Sequence, residues 1–151
     1  MAEVKDRLRA DLITAMKAKD SFTTSVLRMA VAAIGTEEVA GKEARQLTEA
    51  EEQSVISREV RKRRESAEAY RDGNRPELAD KEEQEAEVLQ AYIPAPLTEP
   101  ELDEIIAAEV QAVDGATMKQ MGQIIKAVNA RVQGRADGSA IAAKVRAALN
   151  L

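Results

Sequence analysis

Apolar residues recur at three- and four-residue steps along most of the chain, and this spacing constrains the fold more than any other feature. Near the N-terminus, for example, Val4, Leu8 and Leu12 fall on one stripe, which is the pattern of one face of an α-helix. No segment alternates between apolar and polar residues for long enough to indicate a β-strand. Only three residues are aromatic, so the core must be built from aliphatic side chains. We therefore predict an all-α protein.

Capping residues and helix breakers divide these stripes into separate helices. Thr48 and Thr98 each stand three residues before a glutamate, which is the arrangement of a capping box at a helix start. The segment Pro94-Ala95-Pro96 interrupts the pattern, because two prolines this close cannot lie inside a helix. We predict an N-terminal bundle of about four helices at residues 1–94 and a C-terminal three-helix domain at residues 95–151.

The residue types that are missing limit the possible chemistry. The chain has no Cys and no His, which excludes disulfide bonds, cysteine-ligated zinc and Ser-His-Asp sites. Histidine is also the commonest general acid–base group near neutral pH. A pair of carboxylates could act instead, but among 27 acidic residues no pattern singles out one pair. We predict no catalytic residues, no cofactor and no metal site.

The apolar content also bears on location. No apolar run approaches the ~20 residues that a membrane-spanning helix needs. The N-terminal residues lack the apolar core of a signal peptide. We therefore predict a soluble cytoplasmic protein with no membrane partner.

Charge is distributed unevenly in this protein, whose formal net charge is -5. Residues 116–151 contain six cations and one acid, a local net charge of +5. A basic region on an acidic protein indicates a polyanionic partner, and structured RNA such as tRNA is the first one to test. The candidate phosphate contacts in this region are Lys119, Lys126, Arg131, Arg135 and Lys144.

A second basic region, at residues 57–75, has two interpretations. Its cations, among them Arg61, Lys62 and Arg64, could contact phosphates. They could instead form i,i+4 pairs on a solvated helix, which is the interpretation we favour. Residues 76–113 follow with eleven acids and one cation, and they would repel RNA. We expect this acidic block to pair with the basic helix across a short turn.

Arg28 lies in the middle of a strongly apolar helix. We predict that it forms a structural ion pair with a glutamate of a neighbouring helix, and a substrate contact is the alternative. The candidate partners are Glu59, Glu82 and Glu85.

Short motifs spread over nearly the full length resemble those of the GatB/YqeY family. Each motif is weak alone, but their order and spacing together are specific. They are Val26–Met29, Ala32–Ile34, Glu59-Val60, Lys62–Ser66, Glu82 and Glu85 ahead of Leu89, Tyr92–Pro94, Met121-Gly122 and Gly134–Gly138.

The resemblance implies an N-terminal helical bundle followed by a three-helix domain like the tail of the B subunit of glutamine-dependent tRNA amidotransferase. In that enzyme the tail contacts the tRNA body, and the catalytic chemistry lies in other domains and another subunit. A family-level activity of carbon–nitrogen ligase with glutamine as amide donor is implied too, but the residues for it are absent here. Carried over by position, the tRNA-facing candidates are Lys119, Lys126, Arg131 and Arg135.

Three hypotheses follow for the function. The first is a non-catalytic tRNA- or RNA-associated protein. The second is a protein–protein adaptor in a translation or amidotransferase complex, which would dock through the apolar C-terminal stripe of Ile141, Val145 and Leu149. The third is the ligase activity itself.

Overall fold

The computed structural model describes residues 3–150, and all regular structure in that range is helical. Four helices precede the proline segment and three follow it, which confirms the all-α prediction. The helices are α1 (Glu3–Lys17), α2 (Ser21–Glu38), α3 (Glu49–Asp72), α4 (Pro76–Gln90), α5 (Glu99–Ala112), α6 (Met121–Val132) and α7 (Gly138–Leu149), with a 3₁₀ turn at Met118–Gln120.

The chain forms two compact units, one ending at Pro94 and the other beginning at Ala95. In the first unit, α3 and α4 pack along each other, and α1 packs on α2. Their apolar stripes meet in one core, whose burial is the main stabilising term. The core consists of Val4, Leu8, Val26, Leu27, Ala30, Ile34, Leu47, Val55, Ile56, Val60, Ala86, Leu89 and Tyr92.

In the second unit each of α5, α6 and α7 packs on the other two. The shared core consists of Leu102, Ile106, Ile124, Val128, Val132, Ile141 and Val145. Ile141 and Val145 are completely buried there, and Leu149 packs against the same core. The C-terminal stripe is therefore used within its own unit, which corrects the prediction that it serves as a docking surface.

Capping threonines and a glycine define several of the helix ends. The Thr48 hydroxyl accepts a hydrogen bond from the Glu51 N–H at 3.2 Å and caps α3. Thr98 and Glu101 form a complete capping box at the start of α5, with side chain and backbone bonded in both directions. After α5, Gly115 takes a φ of 65°, a left-handed conformation that favours glycine.

A cluster of polar side chains joins α1 to the end of α4. The Tyr92 hydroxyl donates a hydrogen bond to Asp11 Oδ2, and the Arg7 guanidinium lies 5.0 Å from the centre of the Tyr92 ring. Arg7 also donates to the Ala91 carbonyl at 3.5 Å. Burial raises the pKa of Tyr92, and its bond to Asp11 raises that pKa further. The first helix and the last helix of the unit are thereby held together.

Candidate nucleic-acid interface

Two of the predicted phosphate contacts are paired with carboxylates of α5. Arg131 Nη1 lies 3.3 Å from Glu109 Oε1. Lys144 Nζ lies 2.8 Å from Asp103 Oδ1 and 3.5 Å from Glu99 Oε2. The hydrogen bond to Asp103 raises the pKa of Lys144. These two cations tie the helices of the second unit to one another and add little net positive charge to its surface.

Arg135 has a structural role in the turn between α6 and α7. Its Nε donates to the Ala95 carbonyl at 2.9 Å, and its own carbonyl accepts from the Leu97 N–H at 2.9 Å. The side chain is half-buried. Arg135 therefore anchors the segment that leads into α5, and its guanidinium is only partly available to a phosphate.

Lys119 and Lys126 are placed differently. Both are exposed, and within residues 3–150 neither has a carboxylate partner. They stand seven residues apart, on the 3₁₀ turn and on α6, which is about two helical turns or 10 Å along the axis. Gly122 and Gln123 lie between them and are also exposed. We call this surface, made of Lys119, Gly122, Gln123 and Lys126, the α6 lysine face.

The absence of acids is the distinctive property of this face. From Gly115 to Ala136 the sequence contains four cations and no Asp or Glu. The second unit as a whole nevertheless has seven acids and six cations over residues 95–151. The fold therefore neutralises two of the six cations in the predicted basic region, Arg131 and Lys144, because α5 supplies the opposing carboxylates.

The three cations predicted on α3 all have interaction partners within the protein. Lys62 Nζ lies 3.6 Å from Glu59 Oε2, and Arg64 Nη2 donates to Gln90 Oε1 at 3.5 Å. Arg61 is half-buried and also interacts within the protein. These residues lie in the first unit, whereas the α6 lysine face lies in the second.

The acidic helix α4 does pair with α3, as expected from the charge pattern. Arg71 Nη1 lies 3.3 Å from Glu83 Oε1, and Arg63 Nε lies 3.4 Å from Glu85 Oε2. These contacts confirm that part of the acidic block neutralises the preceding basic helix.

The partner of Glu85 is Arg63, which corrects the predicted ion pair of Arg28. Arg28 lies on the exposed side of α2, where its Nη2 contacts Met16 Sδ at 3.8 Å. It is exposed because the buried face of α2 is occupied by apolar side chains such as Leu27 and Ala30.

Arg63 is the buried cation that sequence reasoning missed. It is only 5% exposed, and its Nη1 donates to the Glu59 carbonyl at 3.1 Å. Nearby, burial raises the pKa of Glu82, and the negative charge of Glu85 raises it further. Arg63 falls on the same stripe as Val60 and Ala67, so its spacing was the available signal.

Glu52 is a second buried charge on the same helix. It is completely buried, and its Oε1 accepts from the Val4 N–H at 3.1 Å, at the start of α1. Its Oε2 has no hydrogen-bond partner among the described residues. Burial raises the pKa of this carboxyl. Four residues before Ile56, it too lies on the apolar stripe of α3.

Across the described residues, no group of acidic side chains is arranged to hold a metal ion. In the same range, no helix combines the length and the apolar character needed to cross a membrane.

Comparison with known proteins shows which family this chain matches. The family described as Yqey-like protein matches residues 5–149. One curated relative is "Altered inheritance of mitochondria protein 41, mitochondrial" from Pyrenophora tritici-repentis (strain Pt-1C-BFP). It is 29% identical over 145 residues, covering 93% of this chain and 77% of the relative. A protein of the same name from Vanderwaltozyma polyspora is 32% identical over 95 residues, covering 62% of this chain and 51% of the relative.

These comparisons correct one prediction and confirm another. Both are mitochondrial proteins by name, which contradicts the prediction of a cytoplasmic location. The family match spans almost the whole chain and confirms the resemblance read from the motifs. The chain belongs to the YqeY-like protein family.

Proposed function

We propose that this chain is a non-catalytic, RNA-associated helical protein that contacts RNA phosphates through the α6 lysine face. The observation that carries the proposal is the contrast within the second unit. Arg131 and Lys144 are neutralised by α5, whereas Lys119 and Lys126 have no carboxylate partner within residues 3–150. Lysines left without a counter-charge are available to a phosphate backbone.

The form of this face favours contact with the backbone over readout of bases. The face contains two lysines, a glutamine and a glycine, and it has no aromatic side chain on which a base could stack. Selectivity would then come from the shape of a folded RNA. The resemblance to the tail domain of the amidotransferase subunit, which contacts the body of tRNA, supports a structured RNA over a single strand.

Binding should be weak and sensitive to salt. Two phosphate contacts give a slope of about -1.5 in a plot of log affinity against log salt, or roughly an eightfold loss from 50 to 200 mM. Fluorescence anisotropy with labelled unfractionated tRNA measures this slope. An affinity that stays flat over this range would contradict the proposal.

Charge reversal tests the named residues. The double variant Lys119→Glu, Lys126→Glu should lose at least about tenfold in affinity for tRNA. Its matched control is Lys17→Glu, Lys42→Glu, which makes the same change in net charge at two exposed lysines of the first unit. If both double variants lose the same affinity, only overall charge matters, and the α6 lysine face is not the contact surface.

A further inference from the structure

The outward side of α2 is unusual for so charged a protein. The chain is 32% charged residues, but between Ser21 and Thr36 the only charged residue is Arg28. The exposed positions of this stretch include Met29 and Ala32. A solvent-exposed helix normally carries its charges on the outer face, so an outer face this poor in charge suggests that something covers it.

Two methionines make this surface apolar. Met16 on α1 is 49% exposed and Met29 on α2 is 50% exposed. Methionine is flexible and polarizable, and it is enriched at surfaces that adapt to a partner. The Arg28 guanidinium lies beside Met16, and Arg28 directly precedes Met29 in sequence. We call Met16, Arg28 and Met29 the methionine face.

A groove of about 460 Å³ continues this face toward α3. Apolar side chains from both helices line it, namely Met29, Ala32, Ala33 and Val55. The helices run antiparallel there, because Glu37 contacts Arg58 and Met29 contacts Arg63. A trough between two antiparallel helices is the shape that receives the apolar side of a third helix.

The charges around the groove show what the occupant must supply. Arg58 lies 3.4 Å from Glu37, and Lys62 lies 3.6 Å from Glu59, so these rim charges already have partners. Arg28, on the adjoining methionine face, differs, because no carboxylate of residues 3–150 pairs with it. The complementary group is therefore one negative charge set within an apolar surface.

We propose that the methionine face and its groove bind one amphipathic helix of a partner protein, and that an Asp or Glu within the apolar stripe of that helix pairs with Arg28. An RNA occupant is disfavoured, since the floor is apolar, the rim includes Glu37 and Glu59, and the first unit has 20 acids against 16 cations over residues 1–94. This site is separate from the α6 lysine face and does not depend on it.

Selection from a displayed peptide library tests the proposal. The library consists of 20-residue amphipathic helices with a fixed leucine stripe and one randomised position at the centre of that stripe. Selection on the wild-type chain should enrich Asp and Glu at this position. The same selection on Arg28→Glu should enrich Lys and Arg instead, a reversal that a purely structural role for Arg28 would not produce.

Direct affinities complete the test. Met29→Glu should weaken binding of the selected peptides at least about tenfold. Met118→Glu should leave it unchanged, because Met118 is similarly exposed at 43% but lies in the second unit. Thermal unfolding checks that both variants stay folded. The proposal is overturned if no helix is enriched, if the central position shows no preference for acids, or if Met29→Glu binds as well as Met118→Glu.

Discussion

In the first unit, Glu52 and Arg63 lie within the helix packing, whereas the buried side chains described in the second unit are all aliphatic. Burying a charge costs desolvation energy that its partners must offset. An aliphatic core carries no such requirement, but it tolerates loss of volume poorly. The comparison indicates that the first unit depends on correct charge pairing and the second on close packing. Four changes, from the largest expected effect to the smallest, test this difference.

Ile141→Ala should have the largest effect. The side chain is completely buried in a unit of only 57 residues, and small units have little stability in reserve. We expect a loss of about 3 kcal/mol in the free energy of unfolding, measured by urea denaturation. The control Ile13→Ala removes the same atoms from a side chain that is 54% exposed, and it should cost far less. Equal costs would contradict the packing argument.

Arg63→Met should destabilise the first unit by about 2 to 3 kcal/mol, since it leaves Glu59 and Glu85 without their shared cation. Lys62→Met is the control, because that side chain is 74% exposed and a surface pair contributes about 0 to 1 kcal/mol. Adding Glu85→Gln to Arg63→Met should recover part of the loss. If the double variant is no more stable than the single one, Arg63 acts through packing alone.

Glu52→Gln should raise stability at pH 7 by about 1 kcal/mol, because the amide keeps an oxygen for the Val4 N–H and removes a buried charge. The folded-state pKa of Glu52 is raised above 4.5. The folded protein therefore favours the protonated form of Glu52. The stability that this carboxyl contributes in the wild type is lost as the pH rises through its folded-state pKa. The advantage of the variant should thus be small near pH 4 and grow toward pH 7.

Urea unfolding at several pH values measures this trend. Glu68→Gln serves as the control, since Glu68 is an exposed residue of the same helix. An advantage of Glu52→Gln that is constant from pH 4 to pH 7 would show that ionisation of Glu52 is not its source.

Glu109→Gln should have the smallest effect on stability, within about 0.5 kcal/mol, because it breaks a surface pair. It also releases Arg131 from its counter-charge, so tRNA affinity at low salt should rise about twofold and the salt slope should steepen. Glu104→Gln makes the same charge change on α5 at an exposed residue with no ion pair in the described part of the chain. A gain that is equal in both variants would reflect net charge alone.

The helices were predictable from sequence because their signals are local. Thr48 and Thr98 act as caps within three residues, and the prolines at 94 and 96 break the chain through their own geometry. Which charged side chains are buried was harder to predict from the sequence. Arg63 lies on an apolar stripe, but its partner Glu85 is 22 positions away, and pairing across two helices depends on their packing.

The candidate interface was only partly predictable for the same reason. Counting charges along residues 116–151 left out α5. Two acids of that helix, Glu109 and Asp103, pair with Arg131 and Lys144. The hydrogen bond from the Arg135 side chain to the Ala95 carbonyl spans 40 positions, and residue spacing does not reveal it. Counting charges along the sequence could find the two lysines of the α6 lysine face, but it could not tell which cations the fold neutralises.

The contact between Tyr92 and Asp11 has a consequence for biosynthesis. The two residues are 81 positions apart, and ribosomes add about 5 to 20 residues per second. Roughly 4 to 16 s therefore pass between the synthesis of Asp11 and the appearance of its partner. During that interval the apolar stripe of the nascent first helix lacks its final neighbour, and this is the period in which a chaperone would have most to protect.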